Sequence, residues 1–159
     1  RITNDNADDL SEPAVTQEAV ASDQATVLTD SVREYEVAVR QDYEAASNQL
    51  LKERNSDSAT VALNMHLVDC PDSPFTANAH YWLGEIYLLK GDTELARKAF
   101  ETIVDQFPQH PKSMDSNFKL GKIYFRLGDS GTAKKFLLKA TESPGGTATK
   151  AQKFLEQNF

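Results

Sequence analysis

From residue 31 onward the apolar residues recur at intervals of three and four, the signature of one buried helix face, and no stretch alternates with the period of two expected of a strand. Val32, Tyr35, Val39, Tyr43, Ala46 and Leu50 place a long helix at about Ser31 to Arg54. The same spacing predicts helices over Asp57 to Asp69, Thr76 to Lys90, Thr93 to Gln106, Lys112 to Leu127 and Ser130 to Thr141, with a short last one at Thr147 to Gln157. Breakers and caps fall between them. Asn55-Ser56-Asp57 supplies a turn and an N-cap, Pro71 and Pro74 stop a helix, Asp92 is a candidate N-cap, and Ser143-Pro144-Gly145-Gly146 interrupts the pattern before the last helix.

One stretch occurs twice. Asn78 to Asp92 (NAHYWLGEIYLLKGD) and Asp115 to Asp129 (DSNFKLGKIYFRLGD) repeat Leu-Gly, Ile-Tyr and Gly-Asp at an offset of 37 residues. CPDSP at Cys70 to Pro74 and FPQHP at Phe107 to Pro111 show the same offset. Shifted back by one period, Tyr43, Ala46, Ser47, Leu50, Ala59 and Leu63 fall on the repeat positions, so a first, degenerate repeat is present with Ser47 in place of glycine. A period of this length with a small residue at the helix contact resembles the tetratricopeptide repeat, a helix-turn-helix unit. The expected fold is therefore all-α: a tetratricopeptide repeat superhelix of three units at about 31–73, 74–110 and 111–144, closed by a C-terminal capping helix at 146–158. Gly84 and Gly121 are expected to make room for the second helix of their unit at Ala96 and Ala133, while Ala151 and Phe154 pack the cap back onto the array.

Charge separates residues 1–30 from the rest. They hold seven Asp and Glu against one Arg and no aromatic residue, whereas residues 31–159 hold 17 acids against 16 bases. The first segment reads as an unstructured acidic leader or linker, with a helix over Glu12 to Leu28 as the alternative. The chain starts at Arg1 without Met or a signal-peptide pattern, which reads as a processed or excised fragment. The nearly neutral repeats lack the basic footprint of nucleic-acid binding, and no apolar run is long enough for a membrane span.

Two helix faces carry different expectations. His80, Leu83, Gly84 and Tyr87 share the side that packs within the repeat. A second stripe holds Asn78, Tyr81, Glu85, Leu88 and Leu89, with Asp115, Phe118, Lys122, Phe125 and Arg126 as its counterpart in the next repeat and Gln41, Glu44, Asn48, Leu51 and Lys52 in the first. In arrays of this kind such stripes resemble the concave groove that holds a peptide or helix. The partner-binding candidates are accordingly Asn48, Leu51, Asn78, Tyr81, Glu85, Leu88, Phe118, Lys122 and Phe125. The alternative for the aromatics is contact with the first helix of the next repeat. Glu44, Tyr81 and Phe118 stand where a carboxylate clamp would present Lys and Asn, so an apolar or helical segment fits the groove better than a free C-terminus.

Chemistry is sparse. Cys70 follows His66 by one helical turn but occupies the apolar helix-end position that Phe107 fills in the next repeat, as a small hydrophobe would. His66, His80 and His110 are spread out, with no carboxylate at ligand spacing on the same helix face, so no metal site is expected. No cofactor motif is present. Lys134, Lys135 and Lys139 read as a solvated face.

The string PDSPFTANAHYWLGEIYLLKGD, followed by ARKAF and DQFPQHPKSMDSNFKLGKIYFRLGD, resembles the C-terminal domain of the Tol-Pal-associated family called YbgF or CpoB, over about Tyr43 to Phe159. The resemblance implies a non-catalytic periplasmic adaptor in the cell envelope. Its implied partners are TolA and a bifunctional penicillin-binding protein, through which outer-membrane constriction is coordinated with peptidoglycan synthesis at cell division. It also implies a trimerising N-terminal coiled coil, hence a homo-oligomer, joined by a linker like residues 1–30. Ser47 and the Gly145-Gly146 break depart from the family pattern. The competing expectation is a structural assembly module of an outer-membrane protein complex, acting through its convex face and loops.

Overall fold

The computed structural model describes residues 32–48, 55–142 and 144–159. The chain divides into two units, residues 1–38 and 39–159. Of the first, only residues 32–38 are described, all helical. The expected leader and the 49–54 end of the expected first helix, with Leu50 and Leu51, lie outside the described residues.

Seven helices and no strand occur among the described residues. Helix α1 is described over residues 32–48. It is followed by α2 (Ser56–Asp69), α3 (Thr76–Lys90), α4 (Thr93–Gln106), α5 (Lys112–Arg126), α6 (Ser130–Ala140) and α7 (Gly146–Asn158). From α2 onward each helix packs on the next in sequence, and in addition α3 touches α5 and α5 touches α7. The first helices of the second and third repeats and the last helix are thus neighbours, with α4 and α6 packed between them in sequence.

The helix ends follow from the repeated Gly-Asp. Gly91 and Gly128 adopt left-handed φ angles of 82° and 85°, which a Cβ would disfavour. Each is followed by an Asp whose N–H reaches back across the turn, Asp92 to the Tyr87 carbonyl at 2.8 Å and Asp129 to the Tyr124 carbonyl at 3.0 Å. The two Asp residues then differ. Asp129 accepts a hydrogen bond from the Thr132 N–H at 3.0 Å, whereas the Asp92 side chain makes no capping bond. Asn55 caps α2 by accepting from the Ser58 N–H at 3.0 Å.

Two clusters of buried side chains run through the array. Ala46, Ala59, Leu63, Ala79, Leu83 and Ile86 join α1, α2 and α3; Tyr81, Ala96, Phe100, Ile103, Leu120 and Ile123 join α3, α4 and α5. Buried Ala133, Leu137, Ala140 and Ala151 continue the core beneath α7. The small motif residues set the spacing. A Cβ on Gly84 would lie 2.6 Å from Phe100 Cζ, and one on Gly121 would lie 2.5 Å from Leu137 Cγ. The expected neighbours Ala96 and Ala133 are one turn earlier on the same helices, and at Gly121 the Ala133 carbonyl would also be met at 3.2 Å.

Between the first two repeats the contact is aromatic and polar. Tyr43 stacks on Phe75 with centroids 4.7 Å apart, the Arg40 guanidinium lies over the Phe75 ring at 5.4 Å from its centroid, and Trp82 Nε1 donates to Tyr43 Oη at 3.1 Å. Between the second and third repeats, Tyr124 Oη donates to Glu101 Oε1 at 2.6 Å while Arg97 Nη1 donates to both Glu101 oxygens.

Candidate functional site

The face made by the first helices is where the partner-binding candidates were expected, and it is more internally satisfied than a bare groove. Tyr81 is the main correction. It is only 8% exposed and belongs to the core, edge-on to Phe100 at 5.7 Å and to Trp82 at 5.9 Å. The Lys112 ammonium lies 4.4 Å from its ring centroid, a cation over an aromatic face. Burial, then the nearby Glu85 and Asp115 carboxylates, push the Tyr81 hydroxyl well above its usual range, so it remains protonated. The physical reason is the α3–α4–α5 junction: position 81 points into the angle between repeats, the alternative weighed for these aromatics.

Glu85 bridges to the next repeat. Its Oε2 accepts a hydrogen bond from Lys119 Nζ at 2.9 Å, and Oε1 lies 2.7 Å from the same nitrogen as an ion-pair contact without a hydrogen bond of its own. Lys119 was not among the predicted site residues. It lies 34 residues after Glu85, close to one repeat period, and that spacing was the available signal. Asp115 accepts from the Thr147 hydroxyl at the start of α7.

Toward the C-terminal end the face becomes aromatic. Phe118 and Phe125 are partly buried and both meet Phe154 edge-on, with centroids 6.4 and 5.3 Å away. Phe125 also contacts Phe159 at 5.5 Å. Lys122 is exposed, its ammonium 5.6 Å from the Phe118 centroid. Asn78 and Asn48 are half-buried, Leu88 packs at the edge of the second core cluster, and Leu89 is 81% exposed. Phe118, Lys122 and Phe125 therefore bring two half-buried rings and one exposed lysine to the C-terminal part of the predicted stripe. The face can hold an apolar segment against aromatic edges and engage a carboxylate or carbonyl through Lys122.

A separate cluster was missed by sequence reasoning. Asp42 on α1 meets His66 on α2, with His66 Nδ1 2.6 Å from Asp42 Oδ2, and Cys70 lies beside them. No carboxylate stands at ligand spacing on the helix face of His66; the packing of α1 against α2 supplies one from 24 residues away. His80 and His110 do not join this cluster. No helix among the described residues is long and apolar enough to cross a membrane.

A tetratricopeptide repeat family model matches residues 75–143. Two curated relatives, both named cell division coordinator CpoB, come from Pseudomonas putida strain KT2440 and from Pseudomonas putida. Each is 42% identical over 52 residues, covering 33% of this chain and 19% of the relative. The chain thus spans about a fifth of the length of the curated relatives it matches. Residues 75–143 thus carry tetratricopeptide repeats, in agreement with the repeated Leu-Gly/Gly-Asp geometry, and part of the chain is similar to the cell division coordinator CpoB.

Proposed function

We propose that this protein is a non-catalytic adaptor of the cell envelope that holds a segment of a partner protein on the first-helix face of its repeats, coordinating envelope events at cell division. The observation that supports this most directly is the pair of half-buried rings, Phe118 and Phe125, beside exposed Lys122, apolar where a fully solvated face would be polar. The partial similarity to CpoB points to a role in division. By family resemblance the partners are TolA and a bifunctional penicillin-binding protein in the periplasm. Asn48, Asn78, Glu85 and Leu88 would extend the contact along the array, and Tyr81 would support it from within the core.

The test is capture from Gram-negative envelope extract by the parent and by a Phe118→Ala/Lys122→Glu variant whose fold is verified by circular dichroism. Recovery of TolA or the peptidoglycan synthase by the parent alone is expected. Equal recovery by both proteins moves the site off this face.

A second reading, a structural assembly module acting through the opposite face, has one observation in its favour. Val61, Met65 and Val68 fall on one side of α2 and are 61%, 59% and 78% exposed. A Val61→Asp/Met65→Asp variant that loses its partners while the first variant keeps them would favour that reading.

A further inference from the structure

His66 is fully buried, and both of its ring nitrogens are engaged. Nδ1 is 2.6 Å from Asp42 Oδ2 and Nε2 is 2.9 Å from Ser73 Oγ. Ser73 Oγ continues to Thr76 Oγ1 at 3.3 Å, and Thr76 Oγ1 donates to the Pro71 carbonyl at 2.9 Å. Thr76 uses its hydroxyl proton at the Pro71 carbonyl, and Ser73 Oγ accepts from the Phe75 N–H at 3.1 Å. The Ser73 hydroxyl proton can go to Thr76 or to His66, so either ring nitrogen of His66 can carry the imidazole proton. With the proton on Nδ1, His66 donates to Asp42; with it on Nε2, the Nδ1 lone pair faces a carboxylate oxygen at 2.6 Å and needs a cation between them.

Cys70 adds a third ligand-type group: it follows His66 by one helical turn, and the ligand atoms of Asp42, His66 and Cys70 all lie within 4.8 Å of one another. A proton would join Asp42 to His66 alone, with Cys70 packed as a small hydrophobe, whereas a metal ion uses all three groups.

We propose that Asp42, His66 and Cys70 bind one divalent ion of the zinc class, with water completing a four-coordinate site. Thiolate and imidazole ligands favour zinc over magnesium or calcium. Bonds of about 2.3 Å to sulfur and about 2.0 to 2.2 Å to nitrogen and oxygen put tetrahedral ligands roughly 3.3 to 3.8 Å apart, so the cluster needs only a small adjustment. Asp42 can make it, because its side chain is 53% exposed while His66 is held from behind by Ser73. With the ion on Nδ1, His66 carries its proton at Nε2, 2.9 Å from Ser73 Oγ, which then serves as the outer-shell contact by which metal-binding histidines are oriented. Binding releases the Cys70 thiol proton to solvent, so affinity rises with pH. The ion would clip α1 to the end of α2 and stabilise the first repeat.

The test is a titration of the purified, reduced chain with Co²⁺ as a spectroscopic probe, followed by displacement with Zn²⁺. The expected result is one Co²⁺ per chain with thiolate-to-cobalt absorption in the near ultraviolet, lost on adding Zn²⁺, and a Tm raised by Zn²⁺ but not by Mg²⁺. Cys70→Ser should abolish the absorption, and Asp42→Asn should weaken binding by about tenfold or more. Absence of absorption and of any thermal shift in the parent overturns the proposal without recourse to variants. Binding unchanged in Cys70→Ser, which marks surface carboxylates, also overturns it, as does one ion shared between two chains in light scattering.

Discussion

The ring of Phe100 fills the space that a side chain at residue 84 would need: a Cβ on Gly84 would lie 2.6, 2.8 and 2.9 Å from three of its ring carbons. Phe100 is itself fully buried, so it has nowhere to retreat. Gly84→Leu is expected to cost about 1 to 3 kcal/mol or more by overpacking. Gly91 makes the control, because its φ is 82° but a Cβ there would meet nothing within 4 Å. Gly91→Ala should cost only the backbone term of roughly 1 to 2 kcal/mol. Urea denaturation of both variants separates packing from conformation; a Gly84→Leu protein as stable as the parent would refute the packing assignment.

The two Gly-Asp turns look interchangeable in sequence but differ in their caps. Asp129→Ala removes the acceptor of the Thr132 N–H and should lower stability by about 1 kcal/mol, whereas Asp92→Ala removes no capping bond and should cost clearly less. Equal losses in chemical denaturation would show that both side chains cap in solution.

The repeat unit was readable from the 37-residue offset because close helix packing requires small residues at fixed positions, and a tight turn requires Gly-Asp. The bounds of α3 and α4, Thr76–Lys90 and Thr93–Gln106, coincide with the periodic pattern for that reason. The groove was less readable. Tyr81 and Phe118 occupy equivalent stripe positions, yet Tyr81 packs in the core with side chains of α4 and α5 whereas Phe118 is half-buried and meets Phe154 of α7. Single-helix periodicity cannot distinguish an interior repeat from the last one. The Asp42–His66–Cys70 cluster was unreadable for a related reason, since two of its groups share a helix but the third arrives by packing.

His80 is half-buried in α3, and desolvation lowers its pKa below the usual imidazole range; burial, then Lys112, does the same at His110. Between the folded and unfolded pKa values the unfolded chain binds more protons, so stability rises with pH across that window. The contribution is fully present above about pH 6.5 and is lost as pH falls through the lower folded values. His80→Gln should flatten the fall in Tm between roughly pH 7 and 5. A variant with the parent's slope would assign that slope to other groups.

The cap is held by aromatic edges. Phe154→Ala removes the ring that meets both Phe118 and Phe125 and should cost about 2 to 4 kcal/mol, with α7 losing amide exchange protection before α3 and α4. Uniform loss of protection across all helices would show instead that the array unfolds as one cooperative unit.

The adaptor reading is tested most directly by isothermal titration of purified TolA and of the bifunctional penicillin-binding protein into the parent and into Phe118→Ala and Lys122→Glu, with thermal melts confirming that each variant is folded. Binding by the parent to at least one partner, weakened by about tenfold or more in each variant, corresponds to a loss of about 1.4 kcal/mol at the α5 face and is the expected result. Binding of equal strength in all three proteins, or no binding of either partner to the parent, would contradict the account.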